Sequence, residues 1–361
     1  MMIEDSEVFQ RVIGDILADT PGIDTVTCAP TGKDGLNQIA GNRYDVLFLD
    51  MVLPDMGGLD VLRRLRMHPS PPPVVVVSAA VGAGSNLAIR ALQAGAFEIV
   101  CKPQPGRTKD PVGVLRSELQ RVVEALGNRR QGGKMPLPAP AIQRKPLQPR
   151  PRQRIERNLR PTWITAIAVS TGGPEALSRV IPLLPGHLPN PVIVAQHMPA
   201  GFTASLAESL NACSALEVVE AAEGDVLRAG RVYIAPGGMH TTVHREGGSS
   251  IVRLHDAGTE VGIKPSADIL FRSLAAIPDQ RGVLAVVMTG MGADGCEGCR
   301  ELRRTGAVCL AQSEESCVVY GMPRSLVDAE LANEVVSLDN MARRIRDLQP
   351  AASRLDLPLT I

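Results

Sequence analysis

The sequence predicts an α/β protein made of two doubly wound parallel-sheet domains joined by a flexible linker. Short apolar runs alternate with amphipathic stretches through residues 1–126 and again from residue 161 onward. Strands and helices that alternate in this way build parallel sheets covered by helices on both faces. Between the two halves, residues 127–160 hold six prolines and ten Lys or Arg residues against a single acid. Because proline blocks regular structure and like charges repel, this basic segment is interpreted as the linker.

The composition of the 361-residue chain is that of a globular protein long enough for two separate cores. Apolar residues make up 44% of the chain and charged residues 21%, which argues against disorder. Aromatic residues make up only 2% and the net charge is zero, which disfavours binding to nucleic acid or to acidic membranes. The acidic start, the scattered cysteines and the absence of long apolar runs predict a cytoplasmic protein without membrane insertion.

The first half is predicted to contain strands at 25–28, 46–49, 74–77 and 98–100, and helices at 8–18, 35–40, 58–66, 86–94 and 114–126. Polar side chains follow the strands at Glu4, Asp5, Asp50, Ser78 and Lys102. Carboxylates that converge on one sheet edge repel each other unless a cation neutralises them, and oxygen ligands in a small site suit Mg²⁺. A carboxylate beside Mg²⁺, with a lysine and a hydroxyl nearby, is equipped to accept a phosphoryl group.

The second half is predicted to contain strands at 164–169, 192–195, 232–235, 284–288 and 307–310, a hairpin of 241–244 with 251–254, and helices at 175–183, 203–212, 267–276, 296–304 and 324–329. Ser170, His197 and Asp294 each come just after the carboxyl end of an apolar strand. In an open parallel sheet these ends face one edge, where ligands bind. The three residues therefore predict a nucleophile, a base and an orienting carboxylate. For the Ser170 loop alone, a tight turn without chemistry is the alternative.

Three motifs in this order, STGGP at 170–174, QHMP at 196–199 and MTGMGADG at 288–295, resemble those of the chemotaxis-specific protein-glutamate methylesterases, the CheB family. The resemblance covers nearly the whole chain. It implies a flavodoxin-like receiver domain at 1–126, the linker at 127–160, a Rossmann-like methylesterase domain at 161–350 and a tail at 351–361. It also implies hydrolysis of glutamate methyl esters on chemoreceptors, deamidation of receptor glutamines, a histidine kinase as phosphodonor and a monomeric enzyme.

The first half resembles a response-regulator receiver, and its site residues are carried over by motif. Asp50 is the implied phosphoacceptor, Glu4 and Asp5 are the acidic pair, and the Val52 carbonyl completes a Mg²⁺ site. Ser78 and Lys102 would contact the phosphoryl oxygens. The chain departs from the receiver pattern at 56–58, where Met-Gly-Gly stands, at Ile99, where an aromatic is usual, and in its short first strand. That strand implies either a start further upstream or a frayed sheet edge.

The esterase half needs amide donors for an oxyanion but no cofactor. The backbone N–H groups of Met291, Thr171 and Gly172 are the candidate donors, because glycines allow both loops to approach a substrate closely.

Other functions fit the same residues less well. A nucleotide-binding module is disfavoured because no lysine follows the Ser170 glycines, and a DNA-binding output lacks a helix-turn-helix pattern. Zinc binding by His240, His244 and His255 lacks a complete ligand set. Cys296 and Cys299 are interpreted as helix packing residues and not as a redox pair. The basic linker could bind an acidic surface, although such segments are usually solvated spacers.

Overall fold

The computed structural model describes residues 1–78, 83–103, 110–130, 162–256, 263–277 and 282–349. Two α/β domains are present in these ranges, as the sequence predicts. The predicted linker from residue 131 to 160 and the predicted tail at 351–361 lie outside the described residues. None of the described helices combines the length and the apolar character needed to cross a bilayer.

The first domain is a five-stranded parallel sheet with the strand order β2-β1-β3-β4-β5. Its strands are β1 (Met2–Ile3), β2 (Cys28–Ala29), β3 (Leu47–Asp50), β4 (Val74–Ser78) and β5 (Glu98–Cys101). Its helices are α1 (Glu7–Ala18), α2 (Gly32–Gly41), α3 (Gly58–Leu65), α4 (Ala83–Gln93) and α5 (Pro111–Arg130). Helix α5 thus continues past residue 126, the predicted end of the domain.

The short strand β1 lies inside the sheet, where it pairs with β2 on one side and β3 on the other. The frayed-edge alternative for this strand therefore does not hold, because β2 and not β1 forms the edge of the sheet. Strand β2 has only two residues, Cys28 and Ala29, which pair with β1, so it overlaps the predicted strand at 25–28 only at Cys28. Ala29 is buried in this strand, whereas Cys28 is exposed.

The second domain is a seven-stranded parallel sheet with the order β14-β13-β12-β6-β7-β9-β8. Its strands are β6 (Thr162–Val169), β7 (Val192–Gln196), β8 (Glu217–Glu220), β9 (Arg231–Ile234), β12 (Gly282–Val287), β13 (Val308–Gln312) and β14 (Glu334–Val336). A separate hairpin is formed by β10 (His240–Glu246) and β11 (Ser249–His255). Its helices are α6 (Gly173–Val180), α7 (Phe202–Asn211), α8 (Ala267–Ala275), α9 (Cys296–Arg304), α10 (Met322–Asp328) and α11 (Leu338–Asp347).

Alternate residues of the central strand β6 pack on opposite faces of this sheet. Ile167 and Val169 join the apolar cluster that contains residues of α6, α7 and α11. Ala166 and Ala168 join the cluster that contains residues of α8, α9 and α10. Burial on both faces explains why β6 is a nearly continuous apolar run. Because β6, β7 and β12 are parallel, their carboxyl ends meet at one edge of the sheet.

Sequence patterns missed three elements of the second domain, β8, β14 and α11. The two strands form the outer edges of the sheet and each has exposed or half-buried positions, so their apolar signal is short. The hairpin turn at Gly247 and Gly248 is confirmed, and both glycines have a positive φ (55° and 84°).

Candidate active site and phosphoacceptor site

Ser170 stands at the turn between β6 and α6, with only 4% of its surface exposed. Its N–H donates to Thr289 O at 3.0 Å, and its carbonyl accepts from Gly173 N at 2.8 Å. Gly172 adopts a φ of 77° at this turn, which a residue with a side chain would reach only with strain. The loop is therefore a sharp, hydrogen-bonded turn that holds the serine at the sheet edge.

His197 follows β7 directly, and Asp294 follows β12 across the sheet edge. The His197 Nε2 to Asp294 Oδ2 distance is 2.7 Å. Since a carboxylate only accepts hydrogen bonds, Nε2 carries the proton and Nδ1 retains the lone pair. His197 Nδ1 is buried and has no hydrogen-bond partner among the described residues. The structure thus brings the predicted base and carboxylate together and leaves one ring nitrogen free to accept a proton.

Ser170 and His197 lie on neighbouring strand ends but do not share a hydrogen bond within the described ranges. Their backbones are linked instead, because His197 N–H donates to Val169 O at 3.0 Å. Catalytic hydrogen bonds are often long in sites without substrate and tighten when it binds.

The Asp294 carboxylate lies at the N-terminus of helix α8, a contact that sequence reasoning missed. Oδ1 accepts from Ser266 Oγ at 2.9 Å and Asp268 N at 2.9 Å, and Oδ2 accepts from Ala267 N at 2.6 Å. Burial raises the pKa of Asp294, but the bonds from His197 and these amides outweigh burial and lower the pKa to about 2. Asp294 therefore stays ionised and keeps its orientation. A serine before an apolar helical stretch is the only sequence signal for this cap.

Gln196 connects the two reacting loops and was also missed from sequence. Its buried Nε2 donates to the carbonyls of Ser170 and His197, both at 3.0 Å. The close approach depends on Gly173, where a Cβ would lie 2.0 Å from Gln196 Oε1. One side chain thereby fixes the backbone of the serine turn relative to that of the histidine turn.

The backbone N–H groups of Met291, Thr171 and Gly172 have no acceptor within the part of the chain that the structure describes. Thr171 and Gly172 are buried and Met291 is half-buried. Amides without a partner beside a serine can receive an oxyanion. Gly290 approaches Ser170 closely, since a Cβ at 290 would lie 2.7 Å from Ser170 Cβ. At Gly292 a Cβ would meet open space, and its φ of 84° is a backbone conformation that favours glycine.

The carboxylates of Glu4, Asp5 and Asp50 converge at the edge of the first sheet, with ligand atoms within 4.8 Å of one another. Lys102 Nζ contacts Asp50 Oδ2 at 2.6 Å and Glu4 Oε2 at 2.8 Å. Ser78 is buried at the end of β4, and its carbonyl accepts from Lys102 N at 2.9 Å. The five predicted polar residues therefore meet at one edge.

Charge in this cluster favours a hard divalent cation. Three carboxylates face one ammonium group, and burial together with the charge of Asp50 raises the pKa of Glu4. For Lys102, burial lowers the pKa, but hydrogen bonds to Asp50 and Glu4 outweigh it, so the pKa is raised overall. Oxygen-only ligands with surplus negative charge fit Mg²⁺.

Sequence reasoning missed Phe9, whose ring centroid lies 4.7 Å from Lys102 Nζ.

The histidines outside the active site do not assemble a metal site among the described residues, where the acidic trio is the only cluster of at least three ligands. His240 and His255 pair across the hairpin with ring centroids 5.7 Å apart, while His244 contacts Thr242 Oγ1 at 3.0 Å. Cys296 and Cys299 are buried free cysteines that pack between α9 and the sheet.

The first domain covers the edge that holds Ser170. Thr171 Oγ1, next to the serine, donates to Glu98 Oε2 of β5 at 2.5 Å. Helix α4 packs along α6 and α7, where Ser85 Oγ lies 3.0 Å from Ser205 Oγ and Ser209 Oγ donates to Gln93 Oε1 at 2.9 Å.

The loops on the other side of the serine are covered as well. Met291, Val318 and Val319 pack against the apolar cluster of the first domain that contains Phe97 and Leu119. The first domain therefore contacts the loops on both sides of the serine turn.

Comparison with known proteins agrees with this architecture. Residues 165–345 match the CheB methylesterase family, and residues 1–109 match the response regulator receiver domain. The protein-glutamate methylesterase/protein-glutamine glutaminase of Geobacillus kaustophilus is 38% identical over 96% of this chain and 97% of its own length. The Bacillus subtilis protein of the same name is also 38% identical, over 96% of both chains.

A solved structure supports the assignment for the second domain. The CheB methylesterase catalytic domain of Thermotoga maritima is 36% identical, with a TM-score of 0.50, and the match covers 52% of this chain and 98% of that one. These comparisons do not support the nucleotide-binding and DNA-binding alternatives. The chain belongs to the CheB methylesterase family, and its esterase domain is preceded by a response regulator receiver domain.

Proposed function

We propose that this protein is a phosphorylation-activated serine esterase that hydrolyses glutamate methyl esters on chemoreceptors. The observation that carries the proposal is the His197–Asp294 pair, which keeps a lone pair on a buried ring nitrogen beside the serine turn. Mass spectrometry of methylated receptor incubated with the enzyme tests the proposal directly. Conversion of methyl glutamate to glutamate is the expected result, and conversion of receptor glutamines to glutamate would add the glutaminase activity of its relatives.

Ser170 acts as the nucleophile and His197 as the general base. The Ser170 hydroxyl oxygen bonds to the ester carbonyl carbon while its proton moves to His197 Nδ1, and Asp294 stabilises the resulting imidazolium. The tetrahedral intermediate then breaks its bond to the methoxy oxygen, which takes the proton from His197 and leaves as methanol. A water molecule then attacks the acyl-enzyme in the same manner, which releases the receptor glutamate and regenerates the free serine. A glutamine side chain would follow the same path and release ammonia.

The negative oxygen of the intermediate is received by the N–H groups of Met291, Thr171 and Gly172. Replacing Gly292 with valine should lower kcat more than it raises KM, because a β-branched residue at a φ of 84° forces the neighbouring Met291 amide to move. We expect a loss in kcat of about 100-fold, the usual effect of one oxyanion donor. Steady-state methanol release from methylated receptor measures both constants.

Gly306→Val is the matched control for this variant. Gly306 has a φ of 87° and open space at its Cβ position, as Gly292 does, but it lies beyond helix α9. The same backbone strain there should lower the free energy of unfolding and leave kcat unchanged. An effect of Gly292→Val confined to KM would mean that the turn binds substrate without stabilising the transition state.

Asp50 is the proposed phosphoacceptor, and Ser78 and Lys102 contact the phosphoryl oxygens. Glu4, Asp5, Asp50 and the carbonyl of Val52 would hold Mg²⁺. When bound, the cation neutralises charge on the incoming phosphoryl group. The fit of the acidic trio to a hard cation supports this role. A cytoplasmic histidine kinase is the proposed phosphodonor, and the enzyme is proposed to act as a monomer in the same compartment.

The receiver is proposed to act as an inhibitory lid. Its strand β5 begins at Glu98, which contacts Thr171, and ends at Cys101, directly before Lys102. A phosphoryl group on Asp50 pulls on Lys102 and so perturbs the strand that contacts the serine turn. The docked state must be favoured by only a few kcal/mol, since otherwise one modification could not shift it.

Deletion of residues 1–126 should therefore raise the basal activity on receptor, by about tenfold or more, since a few kcal/mol of docking energy is removed. In the full chain, a small phosphodonor should produce a rise of the same kind. Asp50→Asn should retain the basal rate and lose only that response. Initial rates of methanol release, with and without phosphodonor, measure all three effects.

Asp60→Asn is the control for this set, because Asp60 is an exposed acid of the first domain that pairs with Arg63. It should respond to phosphodonor as the unaltered protein does. A chelator should abolish the response of the full chain and leave the deletion variant fully active. Lower activity after deletion, together with no response to phosphodonor, would contradict the lid.

A further inference from the structure

We propose that Asp268 is a positioning residue of the esterase, because it forms a reciprocal capping pair with Asp294. Asp294 caps the N-terminus of α8, and Asp268, in the first turn of α8, caps the N-terminus of α9. Each acid thus accepts hydrogen bonds from the helix that begins beside the other. This inference rests on the proposed function of the Ser170, His197 and Asp294 site.

The contacts of Asp268 surround Asp294 on both sides. Asp268 N donates to Asp294 Oδ1 at 2.9 Å. Asp268 Oδ1 accepts from Gly295 N at 3.0 Å and from Gly298 N at 2.6 Å. Gly295 is the residue directly after Asp294, so the carboxylate of Asp268 fixes the backbone from which the Asp294 side chain extends.

The two helices approach closely enough for this exchange because residue 298 is glycine. A Cβ at position 298 would lie 2.5 Å from Phe271 Cβ and 3.1 Å from Asp268 Cα. Burial and the neighbouring charge of Asp294 raise the pKa of Asp268, while the Gly298 and Gly295 amides oppose this shift. The negative charges of Asp268 and Asp294 repel each other, and the positive N-terminal ends of helices α8 and α9 offset this repulsion.

The orientation of Asp294 matters because Oδ2 must accept the hydrogen bond from His197 Nε2 while Oδ1 keeps its hydrogen bonds to the N-terminus of α8. If α8 and the 294–298 turn separate, the carboxylate can rotate and His197 is no longer held in one tautomer. Displacements of about 1 Å in a catalytic group can cost about 100-fold in rate. Asp268 therefore acts on catalysis through Asp294 and does not contact the substrate.

The test is a double-mutant cycle of Asp268 and Asp294 in the full-length phosphorylated protein. Asp268→Ala should lower kcat on methylated receptor by about tenfold to 100-fold, with KM changed by less than about twofold. Asp268→Asn retains the Oδ1 acceptor and should stay within about threefold. In an Asp294→Ala background, Asp268→Ala should add less than about twofold, since the group that it positions is gone.

Nitrogen-15 NMR of histidine-labelled protein supplies a second readout. Unaltered protein and Asp268→Asn should show His197 with its proton on Nε2, whereas Asp268→Ala should show a mixture of tautomers. Asp339→Ala is the matched control, because Asp339 is likewise the second residue of its helix, α11, and pairs with Arg179 instead. It should change neither kcat nor the His197 spectrum.

Equal losses from Asp268→Ala in both backgrounds, or a loss confined to KM, would overturn the positioning role. An unaltered His197 spectrum in Asp268→Ala would do the same. If Asp268→Ala does not fold, Asp268→Ser takes its place, since a hydroxyl can still accept from one amide. Full activity of Asp294→Ala would instead refute the proposed triad, so the two failures are distinguishable.

Discussion

Ser170→Ala should abolish ester hydrolysis while the protein remains folded. This substitution removes only the side-chain hydroxyl group, without which the acyl-enzyme cannot form. Removal of a triad nucleophile typically lowers kcat by about 10⁴-fold to 10⁶-fold. The Ser170 backbone, and not its side chain, makes the hydrogen bonds to Thr289, Gly173 and Gln196, so the turn should persist. Methanol release from methylated receptor gives the rate, and thermal unfolding gives the stability.

Ser178→Ala is the matched control for the nucleophile. Ser178 lies in α6, eight positions after Ser170, and its hydroxyl donates to the Glu175 carbonyl within the same helix. This substitution should leave kcat unchanged. Turnover of Ser170→Ala at a rate near that of the unaltered enzyme would disprove the assignment of the nucleophile.

Asp294→Asn should lower kcat by about 10⁴-fold, the loss expected when the base is held in the wrong tautomer. Asp294 accepts on both oxygens, from His197 and Ala267 at Oδ2 and from Ser266 and Asp268 at Oδ1. An asparagine must direct its NH₂ group toward one of these donors. Directed at His197, it favours the tautomer with the proton on Nδ1, which then cannot accept the proton of Ser170.

Asp256→Asn is the control, because Asp256 is an exposed acid of the same domain that pairs with Lys264. It should retain a kcat within about twofold, as for most surface substitutions. Histidine NMR should show the proton of His197 moved to Nδ1 in Asp294→Asn alone. A loss smaller than tenfold, with the ring in its original tautomer, would remove Asp294 from the triad.

The same variant has a predicted dependence of stability on pH. The pKa of Asp294 is lowered to about 2 from 3.8, so the ionised group stabilises the fold by about 2 kcal/mol. For a lowered pKa this contribution is present above pH 3.8 and is lost as the pH falls through about 2. In urea unfolding, the free energy of unfolding of the unaltered protein should exceed that of Asp294→Asn above pH 3.8. This difference should shrink as the pH falls from 3.8 to about 2. A gap that stays constant would show that ionisation of Asp294 does not contribute to stability.

Regular features of the sequence were sufficient to predict the two folds. Strand β6 is a nearly continuous apolar run because it is buried on both faces, and such runs are visible without a structure. The edge strands β8 and β14 were missed because only part of each is buried. Helix α4 was predicted near its observed position, but its packing against α6 and α7 had no sequence signal.

The sequence by itself determined which residue types meet at each sheet edge. Parallel strands end on the same side, so Ser170, His197 and Asp294 converge, as do Asp50, Ser78 and Lys102. Only the tertiary structure decided which nitrogen of His197 keeps its lone pair and that helix α8 caps Asp294. It also decided that Glu98 contacts Thr171. These contacts join residues distant in sequence, and their geometry depends on how whole helices and domains pack, which no local pattern encodes.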